Sequence, residues 1–409
     1  MPTRTSPSLF DAARHEPLTD TPWDETTARE AIRRIAAAAE AEFDPATAGW
    51  NVHPLDDPQP GEARDHHLYS GAAGVIWALR HLAAQAAIEL RTNFDDVVTE
   101  LSQRAKTAMA QAPHGSASFL LGQGGALLLE WTVTRQDRTA EALLEVVRGN
   151  LRNPVREALW GSSGTLIAAI HMAEATGDER WTRVLQEGMQ ILLEEMEIDP
   201  EVGTWLWEQD LYGHKRRMLG AGHGFVGNVY PAFRAAHLLD TATAATFQER
   251  ALQTLQATAL RDDACINWHP ISDGARVAGR MPLVHDCHGA PGVVCRLAGA
   301  PRTAAWDALL RGAGELVWQA GPLATKGASL CHGTPGSAMT CLKLWRRFDE
   351  RTWLARARAL AMHSIELVER HRSHYGVGRH SLWTGDLGVC CLLWNCIIGD
   401  DRFPTLDHF

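Results

Sequence analysis

Cys331 and His332 stand side by side, and Cys287 with His288 repeats the pair earlier in the chain. Each pair is followed at once by a turn bounded by glycines, Gly333-Thr334-Pro335-Gly336 and Gly289-Ala290-Pro291-Gly292; His223 likewise precedes Gly224-Phe225-Val226-Gly227. Thiolate sulfur with imidazole nitrogen is a zinc donor set. Four of these groups, Cys287, His288, Cys331 and His332, would make a closed structural site. Three of them, Cys287, Cys331 and His332, would leave a tetrahedral position open, which is what distinguishes a catalytic zinc. Spacing alone admits both.

Whatever positions these residues must bring distant turns together, and the sequence repeats the turn. Gly-x-x-Gly recurs seven times, from Gly71, Gly122, Gly161, Gly224, Gly289, Gly333 and Gly385. Each copy opens an apolar segment such as Val75-Ile76-Trp77 or Ala126-Leu127-Leu128-Leu129. Between copies lie amphipathic stretches with apolar residues at spacings of three and four, including Phe94 to Met109, Trp181 to Met196 and Arg351 to Arg370; Thr27 to Phe43 precedes the first copy. The step averages about 52 residues, room for two helices and their connections.

This pattern predicts an all-α chain. Because the helices led by glycine are apolar nearly all round, they are expected to form an inner ring covered by an outer one, a double α/α barrel with every Gly turn at one end. Glycine suits those turns by permitting positive φ and close backbone approach. The long stretches Pro54 to Gly61 and Asn267 to Leu283 read as loop insertions on one rim. No linker breaks the chain, so residues 1–409 are expected to form one domain with an N-terminal extension over 1–25.

Composition narrows the function. With 45% apolar and 22% charged residues the chain is an ordinary globular protein. A formal charge of -10 argues against a nucleic-acid surface, and Lys215-Arg216-Arg217 reads as a solvated loop. The first twenty residues hold no apolar signal core and no later span is long enough to cross a bilayer, so a cytoplasmic location is expected. Eight cysteines are too few for a disulfide scaffold in a chain this long. Cys295, Cys341, Cys390, Cys391 and Cys396 fall in apolar helices and read as small core residues.

Taken together, the seven Gly turns, Gly220-Ala221-Gly222-His223-Gly224, Cys287-His288-Gly289-Ala290-Pro291-Gly292 and Leu330-Cys331-His332-Gly333 resemble the lanthionine synthetase C family over nearly the whole chain. Within it the sequence is more similar to the glutathione-associated LanC-like branch. His288 stands where peptide cyclases more often carry an aromatic residue, Glu157 stands where they carry Asp, and Arg402-Phe403-Pro404 resembles the branch's ending. The last turn, Trp383 to Gly388, departs from the branch's acidic version.

The resemblance implies an α/α toroid with seven inner and seven outer helices and one Zn²⁺ held by Cys287, Cys331 and His332. It implies His223 and Glu157 as catalytic residues, with His288 beside the metal as a substrate contact. Lys326, Arg4 and Arg379 match glutathione contacts, although Arg379 lies closer to Ser381-Leu382 than in eukaryotic members. The activity implied is Michael-type addition of a thiol, glutathione as co-substrate, to dehydroalanine or dehydrobutyrine in a peptide or protein, giving a thioether. Two alternatives stand beside it: a lanthipeptide cyclase using a peptide Cys, and a non-catalytic zinc protein that binds glutathione or peptide.

Overall fold

The computed structural model describes residues 8–56, 65–112, 114–211, 213–324 and 327–409. Among these residues the helices, numbered in chain order, begin with α1 (Glu25–Ala41), α2 (Ala72–Ala84), α3 (Asp95–Ala108), α4 (Gln123–Thr134) and α5 (Asp137–Asn150). They continue with α6 (Ser162–Thr176), α7 (Glu179–Glu194), α8 (Phe225–Arg234), α9 (Thr241–Thr258) and the single turn α10 (Gly274–Val277). The last are α11 (Ala290–Leu297), α12 (Ala304–Ala320), α13 (Thr334–Phe348), α14 (Arg351–Tyr375) and α15 (Asp386–Ile398). None is long and apolar enough to cross a membrane.

Helices α2, α4, α6, α8, α11, α13 and α15 each take the first glycine of a Gly-x-x-Gly motif as N-cap. They touch one another in that order, and α15 returns to α2, so they close a ring. Their burial is nearly complete around the circumference: in α6 every residue from Ser162 to Ala173 is buried. The others, apart from α10, pack outside this ring, and each shows one apolar face. In α7, capped by Asp178, the buried residues Trp181, Val184, Leu185, Gly188, Met189 and Leu192 recur at three and four. Truncating a fully buried residue such as Leu185 to Ala costs about 2–5 kcal/mol.

Close approach, more than positive φ, explains the glycines. At the second glycine of the motif a Cβ would collide with the carbonyl oxygen six residues earlier, Ala158 O at Gly164 and Asp286 O at Gly292. The loop before each helix therefore folds back against the helix start. Of the seven N-cap glycines only Gly289, at φ 103°, uses the left-handed half of the map.

The residue two places before each first glycine then joins turn to turn. Tyr69 N donates to Leu120 O at 3.0 Å, Trp383 N to Tyr69 O at 3.0 Å, and Cys331 N to Trp383 O at 3.0 Å. Cys287 N donates to Cys331 O at 3.3 Å and Gly222 N to Cys287 O at 3.2 Å. Ser118 Oγ reaches Leu159 O at 2.5 Å. Side chains bridge the remaining step, with Asn228 Nδ2 on Arg156 O at 2.7 Å and His223 on Glu157 at 2.9 Å. The result is a belt of hydrogen bonds around the axis, with all seven inner helices starting from it.

The chain is not helical throughout. Among the described residues three two-stranded antiparallel ribbons pair Glu197–Ile198 with Trp205–Leu206, Gln209–Leu211 with His214–Arg216, and Leu260–Asp262 with Cys265–Asn267. The stretch from Asn267 to Leu283, expected as a loop, carries α10 and a bridge from Ile271 to Met218.

Candidate metal centre and acid–base pair

The seven residues of the belt, Tyr69, Leu120, Leu159, Gly222, Cys287, Cys331 and Trp383, all line one cavity on the ring axis. Its other walls come from the inner helices and from Ala158, Ala221 and Asp286 in the turns before them, and Leu406 of the C-terminal tail reaches it. The next residue in each turn lies just beyond, which is where His223, His288 and His332 stand. The repeat thus delivers thiols to the axis and imidazoles to its edge.

Cys287 and Cys331 are buried, and His332 is half-buried. Their ligand atoms all lie within 4.8 Å of one another. His332 Nε2 is 3.7 Å from Cys331 Sγ, and His332 N donates to Ser329 Oγ at 3.2 Å. The two sulfurs touch, an arrangement that a disulfide would also satisfy. The convergence of an imidazole nitrogen on the same point is the feature a disulfide does not require, and two thiols with one imidazole match the donors of a soft or borderline divalent ion. Backbone placement suits the group: a Cβ on Gly222 would sit 2.9 Å from Cys287 Sγ, so glycine there leaves the sulfur its room.

His223, one quarter exposed, bonds through Nδ1 to Glu157 Oε2 at 2.9 Å. Glu157 is fully buried and accepts backbone N–H groups from Leu159 at 3.1 Å and from Trp160. A carboxylate held this way accepts from the ring's Nδ1–H, fixing the tautomer and leaving Nε2 as the second nitrogen. His288 stacks on His223 with ring centroids 5.8 Å apart, and its Nδ1 is buried without a hydrogen-bond partner among the described residues. Burial first, then the neighbouring imidazoles of His223 and His332, push His288 down to about 3 and keep it neutral. His285 packs edge-on to His332 at 4.8 Å. The structure therefore brings together six of the residues singled out in the sequence: Cys287, Cys331, His332, His288, His223 and Glu157.

Arg379 is placed differently. It is buried and ion-paired with Asp56, Nε lying 2.9 Å from Oδ2, and its backbone N–H bonds Asp386. Arg4 and Lys326 lie outside the described residues. The buried thiols at Cys341, Cys391 and Cys396 are pushed up to about 12 by desolvation, which suits packing rather than reaction.

Two contributors were not singled out in the sequence. Tyr69 places its hydroxyl 2.7 Å from Cys331 Sγ. Arg296, fully enclosed, grips Asp286 with bonds of 3.1 and 2.6 Å and lies over Phe403 at 4.9 Å. Aligning the seven turns on their first glycine would have found Tyr69, because it holds the same place in its turn that Cys287 and Cys331 hold in theirs. Arg296 gives no such signal; an arginine in an apolar helix declares nothing about its partner.

A family model described as lanthionine synthetase C-like protein matches residues 62–407. "Glutathione S-transferase LANCL1" of Danio rerio is 29% identical over 322 residues, covering 72% of this chain and 74% of that protein. Among solved structures, nisin cyclase superposes with a TM-score of 0.64 at 13% identity, covering 94% of this chain and 97% of the other. At that identity the superposition speaks for the fold, a helical toroid. The chain belongs to the lanthionine synthetase C-like family.

Proposed function

We propose that the protein joins a thiol to the β-carbon of dehydroalanine or dehydrobutyrine residues in a peptide or protein, with glutathione as the thiol and one zinc ion held by Cys287, Cys331 and His332. The observation that carries this reading is the meeting of the three donors and the Glu157–His223 pair at one belt. The resemblance of this chain to a named glutathione transferase supports the choice of thiol.

When bound, zinc supplies an open position that holds a substrate thiol as its thiolate. The protein's own groups do the rest. The cavity beneath the two sulfurs is walled mainly by apolar residues such as Leu120, Leu159, Ile167 and Trp383, which keeps water away from the sulfur. In the addition a carbon–sulfur bond forms at the β-carbon, the π pair moves toward the amide oxygen, and the proton lost from sulfur is balanced by one delivered to the α-carbon. His223, fixed by Glu157 through Nδ1, takes up the thiol's proton at Nε2 and returns it from there to the α-carbon. His288, neutral and stacked on His223, has its Nδ1 buried against Gly220, so Nε2 is the nitrogen it would turn to an amide or carboxyl group of the substrate.

The test is mass spectrometry of a dehydroalanine-containing peptide incubated with zinc-loaded protein, with and without glutathione. A glutathione adduct that Cys331→Ala abolishes is the expected result. An unchanged peptide mass with loss of a free peptide thiol would point instead to ring closure, and no change in either would leave only binding.

A further inference from the structure

Of the two sulfurs at the belt, Cys331 has a hydroxyl aimed at it and Cys287 does not. Tyr69 Oη lies 2.7 Å from Cys331 Sγ, whereas the belt residue beside Cys287 Sγ is Gly222, which has no side chain. The contact is not a chance meeting of flexible groups. The Tyr69 backbone is fixed on both sides, by Leu120 O and Trp383 N, and its ring stacks on Trp383 at 5.9 Å with planes 21° apart. Trp383 O in turn receives the N–H of Cys331, so phenol and thiol hang from the same three-turn segment of the belt.

We propose that Tyr69 is a positioning residue for the metal centre: its hydroxyl donates to Cys331 Sγ, fixes that sulfur's orientation and draws charge from it when it serves as ligand. This rests on the zinc reading above. A phenol is a donor at one end and an apolar plate at the other, so it can reach the sulfur without bringing water into the cavity. A hydrogen bond to a ligating thiolate lowers the sulfur's electron donation, which leaves the metal more able to hold an incoming thiol as thiolate. The asymmetry between the sulfurs then has a use: Cys287 donates fully, and Cys331 is attenuated.

The experiment uses the full chain loaded with Co²⁺ in place of zinc and reads its thiolate-to-cobalt charge-transfer absorption. Tyr69→Phe keeps the ring and its stack on Trp383 and removes only the O–H. Because a sulfur relieved of its hydrogen bond holds its lone pairs at higher energy, the band is expected to move to longer wavelength. Affinity for the metal, measured by competition with a chelator, is expected to fall about tenfold, because the lost orientation of the sulfur outweighs its stronger donation. Tyr230→Phe serves as control: Tyr230 lines the same cavity, but its hydroxyl bonds Asp407, so the band is expected to stay in place. A band that is present in the wild type and unmoved in Tyr69→Phe overturns the role of Tyr69 alone. A wild type without any thiolate band overturns the metal reading and this inference together.

Discussion

The two ends of the helical ring are built by different rules. At the end where the inner helices start, backbone groups carry most links between turns, and the side chains of the belt are left for other work. At the other end, reached by the C-terminal halves of the same helices, residues Phe403 to Phe409 fold in and side chains make the seal. Asp407 there binds Lys343 Nζ at 2.7 Å, Phe403 N at 2.6 Å and Tyr230 Oη at 2.5 Å; Thr405 O accepts from His171, and the His408 ring lies tilted against His81 at 4.7 Å. Asp407, Lys343 and Tyr230 at the tail end spend their capacity on each other, while both ring nitrogens of His408 are buried without a hydrogen-bond partner among the described residues. At the turn end Tyr69, Cys287, Cys331 and Trp383 face the axial cavity, and it is there that the proposed chemistry is placed.

The sharpest way to break this contrast is to remove a donor at the turn end. Cys331→Ala is expected to lower thioether formation at least about a thousandfold and to abolish metal binding, while circular dichroism and melting stay close to wild type. Element analysis of the purified variant checks the metal. If the variant unfolds instead, the belt depends on the sulfur and the division between the two ends is wrong.

His223→Ala should retain the metal and lose about a hundredfold to a thousandfold in turnover, as expected when a positioned acid is removed. Glu157→Gln keeps a hydrogen-bonding partner for the ring and should cost about tenfold to a hundredfold. Rates on a dehydroalanine peptide rank the two. A Glu157→Gln variant slower than His223→Ala would mean that the carboxylate acts on its own.

At the tail end the prediction is reversed. Lys343→Met strips a partner from a buried carboxylate and should cost about 3–5 kcal/mol in urea unfolding, with turnover at 25 °C changed less than about twofold. Burial alone would raise the Asp407 carboxyl, yet Lys343, Tyr230 and the Phe403 N–H hold it at about 2. Its folded pKa lies below the ordinary one, so its stabilisation is complete above about pH 4 and fades as pH falls toward 2, a loss of about 2 kcal/mol. In Lys343→Met that slope should flatten. A steep slope retained in the variant would assign the acid sensitivity elsewhere.

This comparison also explains what the sequence could and could not tell. The turn end repeats: Cys287, Cys331, His332 and His223 are legible because each stands at a fixed distance from a glycine, and a repeat superposes them without any knowledge of contacts. The closed ring follows from the same repeat with α6 and its like apolar all round. The tail end does not repeat. Lys343 and Tyr230 meet Asp407 across 64 and 177 residues, so nothing local announces either pair. The hairpin ribbons of two or three residues per strand are too short to leave a period in the sequence.

One measurement tests the central claim, that a metal held at the belt makes the turn end reactive: the rate of glutathione addition to a dehydroalanine peptide by protein as purified, stripped with a chelator, and reloaded with zinc. The account predicts loss on stripping and recovery on reloading, with about one zinc per chain restoring full rate. Adduct formation by the stripped protein at an undiminished rate would contradict it.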